Sequence, residues 1–161
     1  MSAAVVPIEI VEIVPTDKGF AVFLASTGKV FVIYVEPALG LALADALQEV
    51  RRGRPLTHQL VSDILAGFDI RVERAVITSA SDDVFYARLI LKNGGGDGSG
   101  RRIVEIDARP SDALVLATRA GSPIYATSAM LDSVEDVGGL LKQLREKRKE
   151  QGENGENGEA T

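Results

Sequence analysis

Four polar residues lie close together where a predicted strand leads into a predicted helix: Asp107, Arg109, Ser111 and Asp112. Two carboxylates can hold a divalent metal ion through oxygen ligands, or one of them can act as a base. An arginine just before the free N–H groups of a helix suits an anion such as phosphate. The junction is therefore a candidate site for phosphodiester chemistry. The structural alternative is that Ser111 and Asp112 only stabilise the first helical turn.

The segment RPLTH at residues 54–58 forms a second polar cluster. His58 falls in the first turn of another predicted helix, where a neutral imidazole can accept a proton. The alternative is a histidine that lies at the surface or caps the helix. We expect Arg54 and His58 to face the first cluster across a cleft.

The chain contains one pattern twice, in diverged form. With Pro37 aligned on Pro110, residues 29–47 and 102–120 both read as a strand, a proline and an amphipathic helix. The strands that precede them match as well. The repeat predicts an α+β fold with a largely antiparallel or mixed sheet, flanking helices and two β-β-β-α units, at residues 8–56 and 71–124.

This duplication is an internal control on the polar residues. Packing alone does not require a charge where the other copy is apolar. The positions that align with Asp107, Arg109, Ser111 and Asp112 hold Tyr34, Glu36, Ala38 and Leu39. The alignment also pairs residues 54–58 with residues 122–126. The polar residues of the two clusters therefore stand out as functional candidates.

Hydrophobic patterning predicts the elements that must position these residues. The almost wholly apolar run 29–35 predicts a central strand covered on both faces. Residues 85–92 and 102–109 alternate, which predicts an antiparallel hairpin around the glycine-rich loop 93–100, with Arg88 facing Glu105 or Asp107. Helices are predicted after Pro37, after Thr57 as N-cap, and after Pro110.

Length and composition indicate one globular domain. The 161 residues include no cysteine and one histidine, which excludes a disulfide framework, a thiolate metal site and a histidine-rich zinc site. Four of the 23 acidic residues follow the last basic residue, Lys149, which leaves 19 against 18 basic residues in the body. Any phosphate binding must therefore come from a local cluster, because the overall charge does not attract nucleic acid.

Neither end of the chain carries a recognisable functional motif. The N-terminus has no basic segment followed by a long apolar run, which predicts a cytoplasmic protein without a signal peptide or membrane span. Ser133 and Asp136 resemble a capping box for a last helix. We divide the chain into a domain, a C-terminal helix and a disordered acidic tail, at residues 1–132, 133–150 and 151–161.

Four motifs resemble the bifunctional nuclease domain family: RPLTH, FYARL, IDARPSDAL and RAGSPIY, at residues 54–58, 85–89, 106–114 and 119–125. The resemblance covers about residues 5–132. It implies a compact, oligomeric α+β domain with nuclease activity, since plant members of that family are described as nucleases acting on DNA and RNA. No organic cofactor is expected.

In a metal-assisted nuclease, each candidate residue has a role. Asp107 and Asp112 would hold Mg²⁺ or Mn²⁺, and Asp112, Asp107 and His58 would be the catalytic groups. The phosphate would bind to Arg54, Arg109 and Ser111.

Two alternatives remain open. The same groups could form a non-catalytic module that binds a phosphate-containing ligand or a protein, or an ion-paired network at a subunit interface. We predict a homo-oligomer, most simply a dimer, because the very apolar strand 29–35 needs cover on both faces. Convergence of Asp107, Arg109 and His58 in an accessible pocket would favour a functional site.

Overall fold

The computed structural model describes residues 4–94, 100 and 102–156. Over these residues the strands are β1 (Val5–Thr16), β2 (Gly19–Ser26), β3 (Lys29–Val35), β4 (Ile70–Ser81), β5 (Val84–Asn93), β6 (Ile103–Ala108) and β7 (Ile124–Thr127). The helices are α1 (Pro37–Leu47), α2 (Thr57–Gly67), α3 (Pro110–Ala120), α4 (Ser128–Ser133) and α5 (Gly138–Glu156). No helix in this part of the chain is both long and apolar enough to cross a bilayer.

The strands form one sheet in the order β3-β2-β1-β7-β4-β5-β6. Every pair in it is antiparallel except β4 with β7, which is parallel. Two three-stranded meanders thus flank the short strand β7, and each leads into a helix that begins with proline. The predicted α+β fold is confirmed, and residues 29–47 and 102–120 have the same element types.

The two copies diverge after these helices. Residues 54–58 lead into helix α2, whereas residues 122–126 lead into strand β7. The predicted equivalence of these two segments is therefore wrong. The helix predicted from the apolar spacing after Thr57 is confirmed, so the aligned positions lie in different elements.

Strand β3 lies at an edge of the sheet, and its predicted central position is wrong. Its composition reflects cover on both faces instead. Phe31 and Ile33 face the main core, while Val30 and Val32 pack under α5. A strand can be covered on two faces and still have only one neighbouring strand.

The main core lies between the sheet and the helices α1, α3 and α4. Its fully buried side chains include Leu24, Phe31, Leu43, Ile77, Leu114 and Met130. A smaller cluster of Ala21, Phe23 and Leu141 fixes α5 to the opposite face of the first meander. Arg145 and Arg148 add ion pairs from α5 to Glu12.

Helix starts differ in detail from the predicted caps. Leu56 is the N-cap of α2, and Thr57 is its first helical residue. Ser133 ends α4, where its hydroxyl donates to the Met130 carbonyl at 2.7 Å. Asp136 alone caps α5, since its Oδ1 accepts from the N–H of Gly138 at 2.9 Å.

The C-terminal helix is longer than predicted. Helix α5 continues to Glu156, through residues that we expected to begin a disordered tail. Residues 151–156 read QGENGE, and their two glycines are poor helix formers, so the extension follows the helix-favouring run KRKE at residues 147–150 rather than their own propensity. The rest of the tail, residues 157–161, and most of the predicted loop, residues 95–99, lie outside the described residues.

Replacing Gly40 with alanine is expected to destabilise the fold. Gly40 is buried in α1, and a Cβ atom there would overlap the ring of Phe20. Overpacking costs roughly 1–3 kcal/mol, which outweighs a gain of up to about 1 kcal/mol in helix propensity. Urea denaturation measures the change. The control is Gly139→Ala, where a Cβ would contact nothing, and an equal effect of both changes would contradict the prediction.

Candidate functional site

The start of α3 presents free backbone donors. Arg109 is its N-cap, with φ −64° and ψ 142°, and Pro110 is its first residue. The N–H of Ala113 bonds to the Arg109 carbonyl at 3.0 Å. The N–H groups of Ser111 and Asp112 precede that first helical bond, so they have no partner within the helix. The positive end of the helix dipole lies at the same place.

A three-residue hydrogen-bond network closes over this helix start. Asp112 Oδ2 accepts from Arg109 Nε at 2.8 Å, and Asp112 Oδ1 lies 2.8 Å from His58 Nε2. The His58 side chain is only 16% exposed, since α2 packs beside α3. The network therefore joins the two predicted polar clusters, which lie 54 residues apart in sequence.

Asp112 is held in its ionised form. Partial burial raises the pKa of its carboxyl, but the hydrogen bonds from Arg109 and His58 outweigh burial and bring the pKa below its usual value. The hydrogen bond with Asp112 in turn raises the pKa of the Arg109 guanidinium. The Asp112 carboxylate accepts a hydrogen bond from the N–H of His58 Nε2. In the neutral imidazole, the free lone pair is then on Nδ1.

Asp112 should make stability depend on pH in the acid range. Because its folded-state pKa lies below the unfolded value of about 3.9, its contribution is fully present above that value and is lost as pH falls through the folded pKa. We expect wild type to lose more thermal stability than Asp112→Asn between neutral pH and pH values near 3. Midpoints measured across this range test the prediction, and parallel curves for the two proteins would contradict it.

Glu36 belongs to the same site and was not predicted. Its Oε1 lies 3.9 Å from Arg109 Nη1. Glu36 and Arg109 are the N-caps of α1 and α3, so they occupy equivalent positions in the two copies. The alignment of Glu36 with Arg109 was a usable signal for this contact. A duplicated fold can bring equivalent positions together at its internal symmetry axis.

A cleft of about 300 Å³ opens beside the helix start. Arg109 and Ser111 line one side of it, and Tyr34 and Glu36 line the other. Its remaining walls are partly apolar and include Leu39, Val84, Phe85 and Pro110. The cleft is accessible to solvent, so the helix start can receive a ligand.

Two predicted site residues, Asp107 and Arg54, lie outside both the network and the cleft. Asp107 faces Arg88 across the β5–β6 ladder, with 3.9 Å between the carboxylate and the guanidinium. Arg54 is exposed and contacts no charged side chain among the residues that the structure describes. Of Asp107, Arg109 and His58, the structure thus joins Arg109 and His58 through Asp112.

These contacts do not fit a metal ion shared by Asp107 and Asp112. Both oxygen atoms of Asp112 already accept hydrogen bonds, and Asp107 is paired elsewhere. Residues 4–94, 100 and 102–156 contain no group of three or more His, Cys, Asp or Glu placed to hold a metal ion. A metal would have to displace Arg109 or His58 from Asp112.

Arg119 lies behind His58 and was also missed as a site residue. Its Nε is buried without a hydrogen-bond partner in the described part of the chain. Arg119, His58 and Gln59 line a cavity of about 20 Å³, which is large enough for one water molecule. A water there would connect Arg119 to the network. The motif RAGSPIY contains this arginine and was the available signal.

Comparisons with known proteins point to one family. Residues 22–137 match the family model described as "Bifunctional nuclease domain". The chain is 33% identical over 99 residues to an uncharacterized protein of Mycobacterium tuberculosis, covering 62% of this chain and 55% of that protein. It is 31% identical over 123 residues to Bifunctional nuclease 2 of Arabidopsis thaliana, covering 73% of this chain and 36% of that protein. The chain therefore spans about half of the first relative and about a third of the second.

Proposed function

The chain belongs to the bifunctional nuclease domain family, and on that premise we propose that it hydrolyses phosphodiester bonds of nucleic acid at the site of His58, Arg109 and Asp112. The observation that carries this proposal is the hydrogen-bond network through Asp112. It joins a histidine and an arginine through one carboxylate at a helix N-terminus, where Arg109 lines the open cleft and His58 lines the small cavity with Arg119.

Phosphate binding falls to Arg109 and the start of α3. The Arg109 side chain is 62% exposed and keeps N–H groups that face away from Asp112. The N–H groups of Ser111 and Asp112, with the Ser111 hydroxyl, supply further donors to an anion in the cleft. Glu36 limits the strength of this binding, because its negative charge competes with phosphate for Arg109.

Proton transfer falls to His58. Asp112 fixes the imidazole through Nε2, so that the neutral ring accepts a proton at Nδ1, as a general base does when it activates water. The ionised Asp112 also stabilises the imidazolium that results. Asp107 has no direct part in this step, since it contacts Arg88.

Metal dependence remains a prediction. A Mg²⁺ or Mn²⁺ ion would supply charge neutralisation at the phosphate, but Asp107 and Asp112 do not fit it as shared ligands, and the proton transfer described for His58 does not depend on it. We further propose a cytoplasmic location, since a chain without cysteine has no disulfide that would need an oxidising compartment.

A cleavage assay tests the activity itself. Single- and double-stranded DNA and RNA are incubated with the purified chain in Mg²⁺, Mn²⁺ or EDTA. We expect cleavage of at least one substrate, and faster cleavage with a divalent ion than with EDTA. If none of the four substrates is cleaved under any of these conditions, the proposal is contradicted.

Replacing Arg109 with alanine is expected to weaken oligonucleotide binding by roughly 10- to 150-fold. This corresponds to roughly 1.5–3 kcal/mol for a charge-assisted hydrogen bond. Fluorescence anisotropy with a labelled oligonucleotide measures the change. Arg88→Ala is the matched control, because Arg88 is an exposed arginine paired with Asp107 outside the cleft. Equal losses in the two variants would point to non-specific charge and contradict the assignment.

One observation favours a second candidate function, a non-catalytic phosphate-binding module. Both oxygens of Asp112 are occupied within the chain, which suits a fixed binding site as well as a reactive one. In that case Arg109→Ala weakens binding, and the wild-type chain binds oligonucleotides without cleaving them.

A further inference from the structure

Helix α2 presents an apolar ridge to solvent. Leu56, Leu60 and Ile64 are each about half exposed, and Phe68 is 76% exposed. All of α2 is described, and its single buried residue is the polar Gln59. A helix normally places its apolar stripe in the core. In α2 a neighbouring row, Val61 and Leu65, packs against the core, whereas the ridge faces outward, so only another surface can remove the apolar area of the ridge from water.

The spacing of the ridge fits another helix of the same kind. Its residues recur at every fourth position, which forms one of the two ridges that helices use when they pack on each other. Gly67 lies on the same exposed face, and a Cβ atom there would meet nothing. The missing side chain leaves a hollow beside the ridge, into which a leucine or isoleucine of a partner helix can fit.

The charges at the two ends of α2 favour an antiparallel partner, and the exposed Asp63 within the helix is paired with Arg51 of the same chain. Arg54 is exposed just before the amino end of the helix, and Asp69 is exposed just after the carboxyl end. A second α2 running in the opposite direction would bring each Arg54 close to an Asp69, and it would also align the two helix dipoles favourably. A parallel pair would bring like charges together instead.

We propose that α2 packs antiparallel against α2 of a second copy of this chain, about a two-fold axis between Leu60 and Ile64. Such an interface is isologous, since each copy contributes the same ridge. It lies next to the site described above, because His58 precedes Leu60 by two positions. The carboxyl end of the partner helix then lies close to Arg54, four residues before His58.

The absence of cysteine makes the interface directly testable. Under this proposal the double variant Leu60→Cys/Ile64→Cys forms a covalent dimer on mild oxidation, because the thiol introduced at position 60 would face the thiol introduced at position 64 of the second copy. The control is Leu41→Cys/Leu47→Cys, which places two cysteines at exposed leucines of α1. Cross-linking confined to the α2 variant supports the interface. Equal cross-linking of both variants, or none of the α2 variant, overturns it.

Mass measurements on the full chain give an independent readout that needs no nuclease activity. Light scattering at micromolar concentration should show a dimer. Ile64→Glu should raise the dissociation constant at least roughly 30-fold, the effect of removing an interface hot spot, whereas Leu41→Glu should not. A monomeric wild type, or a folded Ile64→Glu variant that stays dimeric, overturns the proposal.

The direction of the two helices is tested by removing the end charges. Arg54→Gln and Asp69→Asn should each weaken the dimer, and the double variant should be no weaker than the worse of the two. Asparagine suits position 69, where φ is 54°. Fully additive effects would show that the two charges do not meet, which overturns the antiparallel arrangement.

Discussion

Replacing His58 with glutamine is expected to lower the rate of phosphodiester cleavage by roughly 10²–10⁴-fold, the usual contribution of a general acid or base. The glutamine amide can still donate to Asp112, so the fold should keep most of its stability. The loss then reflects the missing proton acceptor. Single-turnover cleavage with saturating enzyme isolates the chemical step from substrate binding.

Asp107→Asn is the matched control for His58→Gln. Asp107 is an exposed carboxylate paired with Arg88, outside the network of Asp112. We expect its cleavage rate to stay within a few-fold of wild type. A large loss in Asp107→Asn, together with normal cleavage by His58→Gln, would contradict the assigned site and favour catalysis at the sheet face.

Replacing Leu114 with alanine should have the largest effect on stability. Leu114 is 0% exposed in the core below α3, and leucine-to-alanine changes at such positions cost roughly 2–5 kcal/mol. Its equivalent in the first copy, Leu41, is 53% exposed on α1. Leu41→Ala should therefore cost less than about 1 kcal/mol.

Urea denaturation of the two variants compares the same substitution at equivalent positions. An equal m-value in wild type and both variants would show that the unfolded states are comparable. Similar losses at Leu41 and Leu114 would mean that both leucines are buried in solution. For Leu41, that result would indicate a further interface on α1.

The start of α3 was predictable because its polar residues interrupt a repeated apolar pattern. Asp112 replaces the buried Leu39 of the first copy, and this contrast singled it out. Asp112 and His58 were placed on opposite sides of one cleft, whereas the structure brings the two side chains into direct contact. The exact partner of each group depends on how α2 packs on α3, which no local pattern specifies.

Asp107 shows where sequence reasoning failed to assemble the site. It precedes Arg109 by two residues, so strand alternation placed both on one face. At the end of β6 the backbone turns into α3, and Arg109 rotates toward Asp112 while Asp107 stays opposite Arg88. Alternation holds within a strand and does not extend past its last residue.

The position of β3 within the sheet could not be predicted from the sequence either. The composition of β3 correctly indicated cover on both faces, but the cover on one face comes from α5, which begins only at Gly138, far along the chain from Val35. Contacts between segments so distant in the chain leave no periodic signal in either of them. The same limit applies to α2, whose apolar spacing was visible while its outward orientation was not.

The contact between Glu36 and Arg109 bears on how such a fold could arise. In a symmetric assembly of two separate single units, these two N-cap positions would carry the same residue, and two like charges at this distance would repel each other. When the two units are joined in one gene, each N-cap position can be substituted independently of the other. An acidic and a basic residue can then meet at the centre, so the fused chain can hold an asymmetric site that identical subunits could not encode.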